Sequence, residues 1–278
     1  MIKADVNLSI LFDELSVAER PGVAAKHGFV AGEIWRRLPE SVPTHGRLGE
    51  LAEAFENAGV PLVGLNVDAG ELAAGDRGLT SVPAQETRLR DNVDVAMKFA
   101  EPPRGRAFNA CNGNRHERKN PVIQDELATE NLCYASEATH RIGGVVLIES
   151  QNSAANCPYP LPRAADVVDV VERVEQACGA SNVRLLADLF HVHRMGEDLT
   201  ASARTFPDRF GHVQIADDRG RHQTGEGKID VGPALAVLSE FDCQGSTGLW
   251  IRRLSSGSFS PALRLGLRMD SWAACVSW

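Results

Sequence analysis

Residues Val183 to His191 read VRLLADLFH. A short run of apolar and β-branched residues of this kind, preceded by a polar break at Ser181 and Asn182, reads as a buried strand. Its one acid, Asp188, is flanked by Leu185, Leu186, Leu189 and Phe190, where a carboxylate is costly to bury without a partner. Just upstream, Val167, Val168, Val171 and Val174 recur at helical spacing. The unit is therefore a helix followed by a strand with a charge near its C-terminal end.

Working outward, the same alternation recurs along the chain. Candidate strands are Ala4–Ile10, Phe29–Trp35, Pro61–Val67, Arg106–Cys111, Val145–Glu149, Val183–Leu189, His212–Ala216 and Thr247–Ile251, eight in all. Helical patterns fall between them: Leu48, Leu51, Ala52 and Phe55, stopped by Gly59 and Pro61; Leu89, Val93, Ala96, Met97 and Ala100; Leu127, Tyr134, Ala135 and Ala138. Eight βα units in 278 residues predict an α/β fold, a (β/α)8 TIM barrel of typical length near 250 residues. A doubly wound open sheet would announce itself by a glycine-rich turn after the first strand, and none follows Ile10. No repeat or linker marks a second domain, so residues 1–278 are expected to form one domain; the tail from about residue 270 carries no pattern. The loops after the strands are polar and long, at Asp68 to Pro83, Asn112 to Asn120, Ser150 to Pro162 and Asp217 to Gly227.

Composition narrows the function. At 43% hydrophobic and 24% charged residues the chain has the apolar material for a core. A net charge of -8 argues against a phosphate-backbone surface, so nucleic acid is not an expected partner. The run Leu8 to Phe12 lacks a basic start and is too short for a signal peptide, and no apolar segment approaches a membrane span. No membrane partner is expected, and the default location is cytoplasmic. The six cysteines show no close pair and are expected to be reduced, mostly buried thiols.

Oxygen donors recur at strand C-termini, where a barrel assembles its site: Glu149 ends VVLIE, Asp188 ends the quoted strand, and Gln214 lies within GHVQIAD. Such donors suit a hard divalent cation, Mg2+ or Mn2+. A carboxylate ending a strand in solvent and a glutamine in a barrel's polar layer are each ordinary; the three together point to a metal. His191, on the loop expected to leave the strand, is placed near substrate, with His193 and Arg194 on the rim.

The segments VNLSILF from Val6, GLNVDAGELAAGDRG from Gly64, LIESQN from Leu147, ADLFHVHRMGEDL from Ala187 and GHVQIADDRGRHQTGEGKID from Gly211 resemble the hydroxypyruvate isomerase family, in order, over about residues 4–249. These are relatives of ketose 3-epimerases and xylose isomerases. The resemblance implies interconversion of hydroxypyruvate and tartronate semialdehyde through an enediolate. It implies a metal held by Glu149, Asp188 and Gln214, with Glu149 also catalytic, His191 on substrate, and a pocket helped by Asn7, Asn66, Arg77 and Asn152. It departs at the eighth strand: where the family has a pattern like Gly-Leu-Glu-Tyr, this chain has Gly248, Leu249, Trp250, Ile251, so the second glutamate is Trp250. An indole N–H only donates. Glu149 would then act alone and the reaction would be slowed. Since SGSFS beyond Ser255 again resembles the family, the departure is local to Trp250 to Leu254, as a genuine change or a sequence error.

The partner expected is a small hydroxy-keto acid or sugar; a substrate carboxylate would be met by one of Arg77, Arg115, Arg219 and Arg221. Related barrels often associate through their outer helices, which leaves a homo-oligomer open. Three alternatives stand beside the isomerase: a ketose 3-epimerase or other sugar-acid isomerase, a barrel that binds a sugar acid without turnover, and a multi-zinc phosphodiester hydrolase resembling endonuclease IV. The last needs histidines at the ends of strands three and four, where this chain has Asn66, Asn109 and Asn112.

Overall fold

In the computed structural model, residues 4–35, 45–100, 106–154, 159–218, 220–221, 227–240 and 247–250 are described. The order is β1 (Ala4–Asn7), α1 (Arg20–Lys26), β2 (Ala31–Trp35), α2 (His45–Ala58), β3 (Leu62–Asn66), α3 (Glu86–Ala100), β4 (Ala107–Asn109), α4 (Pro121–His140), β5 (Val145–Glu149), α5 (Ala164–Cys178), β6 (Val183–Asp188), α6 (Leu189–Arg194), α7 (Leu199–Thr205), β7 (Phe210–Ile215), α8 (Val231–Glu240) and β8 (Thr247–Leu249). The strands pair in sequence order, all in parallel, and β8 closes on β1, giving a TIM barrel.

Each expected strand is present: β5 has the expected bounds, β7 begins two residues earlier and ends one earlier than expected, and the other six are shortened at one or both ends. Ser9 is where the first departs: its N–H bonds to Asn7 Oδ1, which turns the chain out of β1. Four helices were legible from apolar spacing; α1, α6, α7 and α8 were not, because three of them are seven residues or shorter and give too few turns for a period to register. Local chemistry sets their ends. Asn120 Oδ1 accepts from Val122 N at 2.9 Å, with Pro121 beginning α4. Asp198 does the same for α7 through Thr200 N. Gly179, at φ +69°, ends α5 in the left-handed conformation.

Strand alternation divides the side chains. Val146, Ile148, Val183, Leu185 and Ala187 join the apolar layer between sheet and helices, with Val167, Val171 and Val174 of α5. The other face of each strand fills the barrel interior, and Asp188 is registered with Gln214 on β7, which is registered with Gly248 on β8. Among the described residues, no helix is long and apolar enough to cross a membrane.

The expectation of reduced cysteines fails for Cys133 and Cys178, which form a disulfide with Cα atoms 6.1 Å apart. They are 45 residues apart in sequence and meet because α4 and α5 are neighbours in the helical ring. Cys111 is free and buried. Cys157, Cys243, Cys275, Arg219 and everything from Ile251 onward, including SGSFS and the tail, lie outside the described residues.

Candidate active site at the C-terminal mouth of the barrel

Glu149 ends β5 and is 6% exposed. Its Oε2 accepts from Asn109 Nδ2 at 2.9 Å and Gln151 Nε2 at 3.3 Å, and Cys111 Sγ lies 3.7 Å away. Burial, and then the nearby charge of Asp188, push its carboxyl up to about 7, against the pull of Arg221. Asp188 is fully buried. Its Oδ1 accepts from Phe190 N at 2.9 Å, capping α6, and its Oδ2 accepts from Arg221 Nη1 at 2.6 Å. The charge flagged by the sequence thus has a partner, and the partner is an arginine. Arg221 sits at φ +64°, a conformation unusual for a residue with a side chain, and its guanidinium also stacks over Phe190, 4.7 Å from the ring centroid.

His191 lies on α6 and not on a loop, because the Asp188 cap starts a helix directly at the strand end. Burial, reinforced by the cations of Arg221, Arg77 and Arg194, lowers its pKa to about 4, although Asp188 opposes the change, so the ring is neutral near pH 7. Its Nδ1 receives the backbone N–H of Asn152 at 3.2 Å. A neutral ring has one acceptor nitrogen, and a backbone N–H cannot turn away, so Nε2 carries the proton. That Nε2 is 3.5 Å from Glu149 Oε1 and 2.8 Å from Arg221 Nη2. Two donors therefore face each other, which Arg221 can relieve by moving and His191 cannot. His191 is set as a hydrogen-bond donor and is poorly disposed to ligate.

Three ligand atoms, one each from Glu149, Asp188 and His191, lie within 4.8 Å of one another. Gln214, registered beside Asp188, is 1% exposed, and its Oε1 has no hydrogen-bond partner. Two carboxylates and an amide oxygen make an oxygen donor set suited to a hard divalent cation. Burial and then the charge of Asp188 raise the Glu149 carboxyl, and a cation between the two would favour its ionised form. These residues fit such an ion.

The remaining expected residues divide. Asn152, fully buried, serves His191 through its N–H and has its side-chain amide at 2.5 Å from Nδ1. Asn7 is fully buried at the end of β1, and its Nδ2 has no partner. Asn66 is buried at the end of β3. Arg77 bonds to the carbonyls of Asp76 at 2.7 Å and Leu72 at 3.3 Å in its own loop, and its charge acts on His191. Arg115 is paired with Asp125 at 2.7 Å. Of the three described arginines considered for a carboxylate, Arg77, Arg115 and Arg221, it is Arg221 that lies beside Asp188 and His191.

One group went unread in the sequence. Glu33 on β2, 2% exposed, accepts from Trp250 Nε1 at 2.5 Å and Gln214 Nε2 at 3.1 Å on Oε2, and bonds His212 Nε2 on Oε1. Burial pushes its carboxyl up, but the charge of His212 and the hydrogen bonds from His212, Asp5 and Trp250 outweigh that and hold it below the usual range. The signal was available: an acid inside AGEIW stands among apolar neighbours as Asp188 does. Trp250 itself is 5% exposed, with its ring 5.7 Å from that of Trp35.

A closed parallel eight-stranded barrel with acidic and amide side chains gathered at the C-terminal strand ends has them where such barrels assemble their active sites. The chain belongs to the xylose isomerase-like TIM barrel family, whose sequence model matches residues 21–255. It is 44% identical over 247 residues to a Streptomyces coelicolor protein named "Putative hydroxypyruvate isomerase", covering 88% of each chain. It is 27% identical to the hydroxypyruvate isomerase of Escherichia coli, over 89% of this chain and 92% of that one. Among solved structures, a Brucella melitensis protein described as an AP endonuclease of family 2 superimposes with TM-score 0.81 at 29% identity, over 91% of this chain and 95% of that one.

Proposed function

We propose that the chain interconverts hydroxypyruvate and tartronate semialdehyde, with Mg2+ or Mn2+ held by Glu149, Asp188 and Gln214. The observation that carries this reading is the cluster at the mouth, where ligand atoms of Glu149, Asp188 and His191 lie within 4.8 Å of one another and Gln214 Oε1, registered beside Asp188, is buried without a partner. When bound, the ion would polarise the carbonyl and hydroxyl oxygens and make the neighbouring C–H more acidic. Glu149 would take the proton from C3 of hydroxypyruvate and return it to C2, while the hydroxyl proton on the C3 oxygen passes to the oxygen on C2, which also accepts a hydrogen bond from His191. Arg221, freed from Asp188 by the ion, would present its planar fork to the substrate carboxylate.

Trp250 favours an isomerase over a ketose 3-epimerase. Moving a proton between adjacent carbons on one face needs a single base, whereas inverting a carbon needs an acid or base on each face. The eighth strand offers an indole whose N–H is already given to Glu33, and no carboxylate. The relatives named hydroxypyruvate isomerase and the 2-oxo-tetronate isomerase of Haemophilus influenzae, 28% identical, agree with an acid as substrate. The endonuclease description of the Brucella protein finds no support here: β3 and β4 end in Asn66 and Asn109, which cannot replace zinc-binding histidines.

The test is proton NMR of hydroxypyruvate in D2O with the chain and Mg2+. Product formation or deuterium entry at C3, lost in Glu149→Gln, is expected. No turnover and no exchange with either Mg2+ or Mn2+ would leave a barrel that only binds its ligand.

A further inference from the structure

Gln214 can serve a cation only through Oε1, yet its amide has two ends of nearly the same size. Nothing on Gln214 itself selects between them. We infer that Glu33 is the positioning residue that makes this choice, holding Gln214 Nε2 so that Oε1 is turned toward Asp188 and the ion; the inference rests on the metal reading above.

The geometry supplies each step. Gln214 Nε2 donates to Glu33 Oε2 at 3.1 Å, and Oε1 is left buried without a partner. Turning the amide over would set Oε1 against a carboxylate oxygen, acceptor to acceptor, and aim the N–H end at the ion. Glu33 is itself fixed: His212 holds Oε1, and Trp250 Nε1 shares Oε2 at 2.5 Å. The barrel interior is shaped to admit it. A Cβ on Gly64 would lie 2.9 Å from Glu33 Cγ, and one on Gly248 would lie 2.2 Å from Glu33 Oε1. Glycine at both positions is what allows a glutamate from β2 to reach across to β7 and β8. Trp250, which costs the site a ligand, thereby helps to hold the residue that orients the glutamine.

A carboxylate at position 214 needs no such help, since either oxygen can ligate. The experiment is therefore a double-mutant cycle read by Mn2+ affinity, from calorimetry and from the electron paramagnetic resonance of free Mn2+. Glu33→Gln is expected to weaken Mn2+ binding about 10- to 100-fold, as removal of such supporting partners does. In the Gln214→Glu background the same change is expected to leave affinity within about twofold or to improve it, because it removes one of two facing carboxylates. Glu33→Asp, which keeps the charge but draws it back by one methylene, is expected to give a smaller loss and serves if Glu33→Gln does not fold. Equal losses in both backgrounds, or no loss in the first, would overturn the positioning role alone. Failure of the unaltered chain to bind Mn2+ would overturn the metal reading and this inference with it.

Discussion

Replacing Glu149 by Gln removes a buried carboxyl whose ionisation opposes the fold. The Glu149 carboxyl moves from 4.5 to about 7 on burial beside Asp188. At about 1.4 kcal/mol per tenfold change in proton affinity, that is roughly 3 kcal/mol. The sign follows from the direction. A raised carboxyl favours the folded state fully below 4.5, and the benefit is lost as pH rises through about 7. In urea unfolding with a chelator present, the wild type should therefore lose about 2.5 kcal/mol of this relative to Glu149→Gln between pH 5 and 8.5. His191, lowered to about 4, adds a change of opposite kind, present above its unfolded value of 6.5 and lost as pH falls toward 4. That change is common to both proteins and cancels in the difference. Added Mn2+ should reverse the ranking at pH 8, since the ion needs the carboxylate that the variant lacks. Parallel stability curves over this range would show that Glu149 and Asp188 do not share one buried, negatively charged site.

Trp250→Glu should destabilise the metal-free protein by about 3 kcal/mol or more, through loss of a buried aromatic and a second carboxylate facing Glu33; with Mn2+ it should turn over hydroxypyruvate faster than the wild type, and calorimetry with a coupled assay would check both. Arg221→Met should raise the KM for hydroxypyruvate on the order of 10-fold or more with a smaller change in kcat, and a fall in kcat at constant KM would remove the carboxylate role. Cys133→Ser should cost about 2–4 kcal/mol under oxidising conditions and nothing after reduction, with peptide mapping of the unreduced chain showing the Cys133–Cys178 link.

The barrel was legible because its signal is local and repeated. Runs such as VVLIE and VRLLAD carry their own apolar character, and the helices between them are long enough for a period to appear. Glu149 and Asp188 were legible for a related reason: a charge at the end of an apolar run has to be explained wherever the chain goes. Gln214 and His191 were read from their places beside strand ends and again from resemblance, and the structure brings Gln214 into register with Asp188 and His191 to within reach of Glu149.

What the sequence by itself determined was the alternation of strand and helix, and with it which end of the strands would hold the oxygen donors. Only the tertiary structure decided who partners whom: that Arg221 answers Asp188, that Cys133 meets Cys178, that Asn152 fixes the His191 proton, and that Glu33 joins Gln214, His212 and Trp250. The reason is closure. Periodicity reports which face of an element is buried, but joining β8 to β1 places residues more than 200 positions apart side by side, and no local pattern records that meeting.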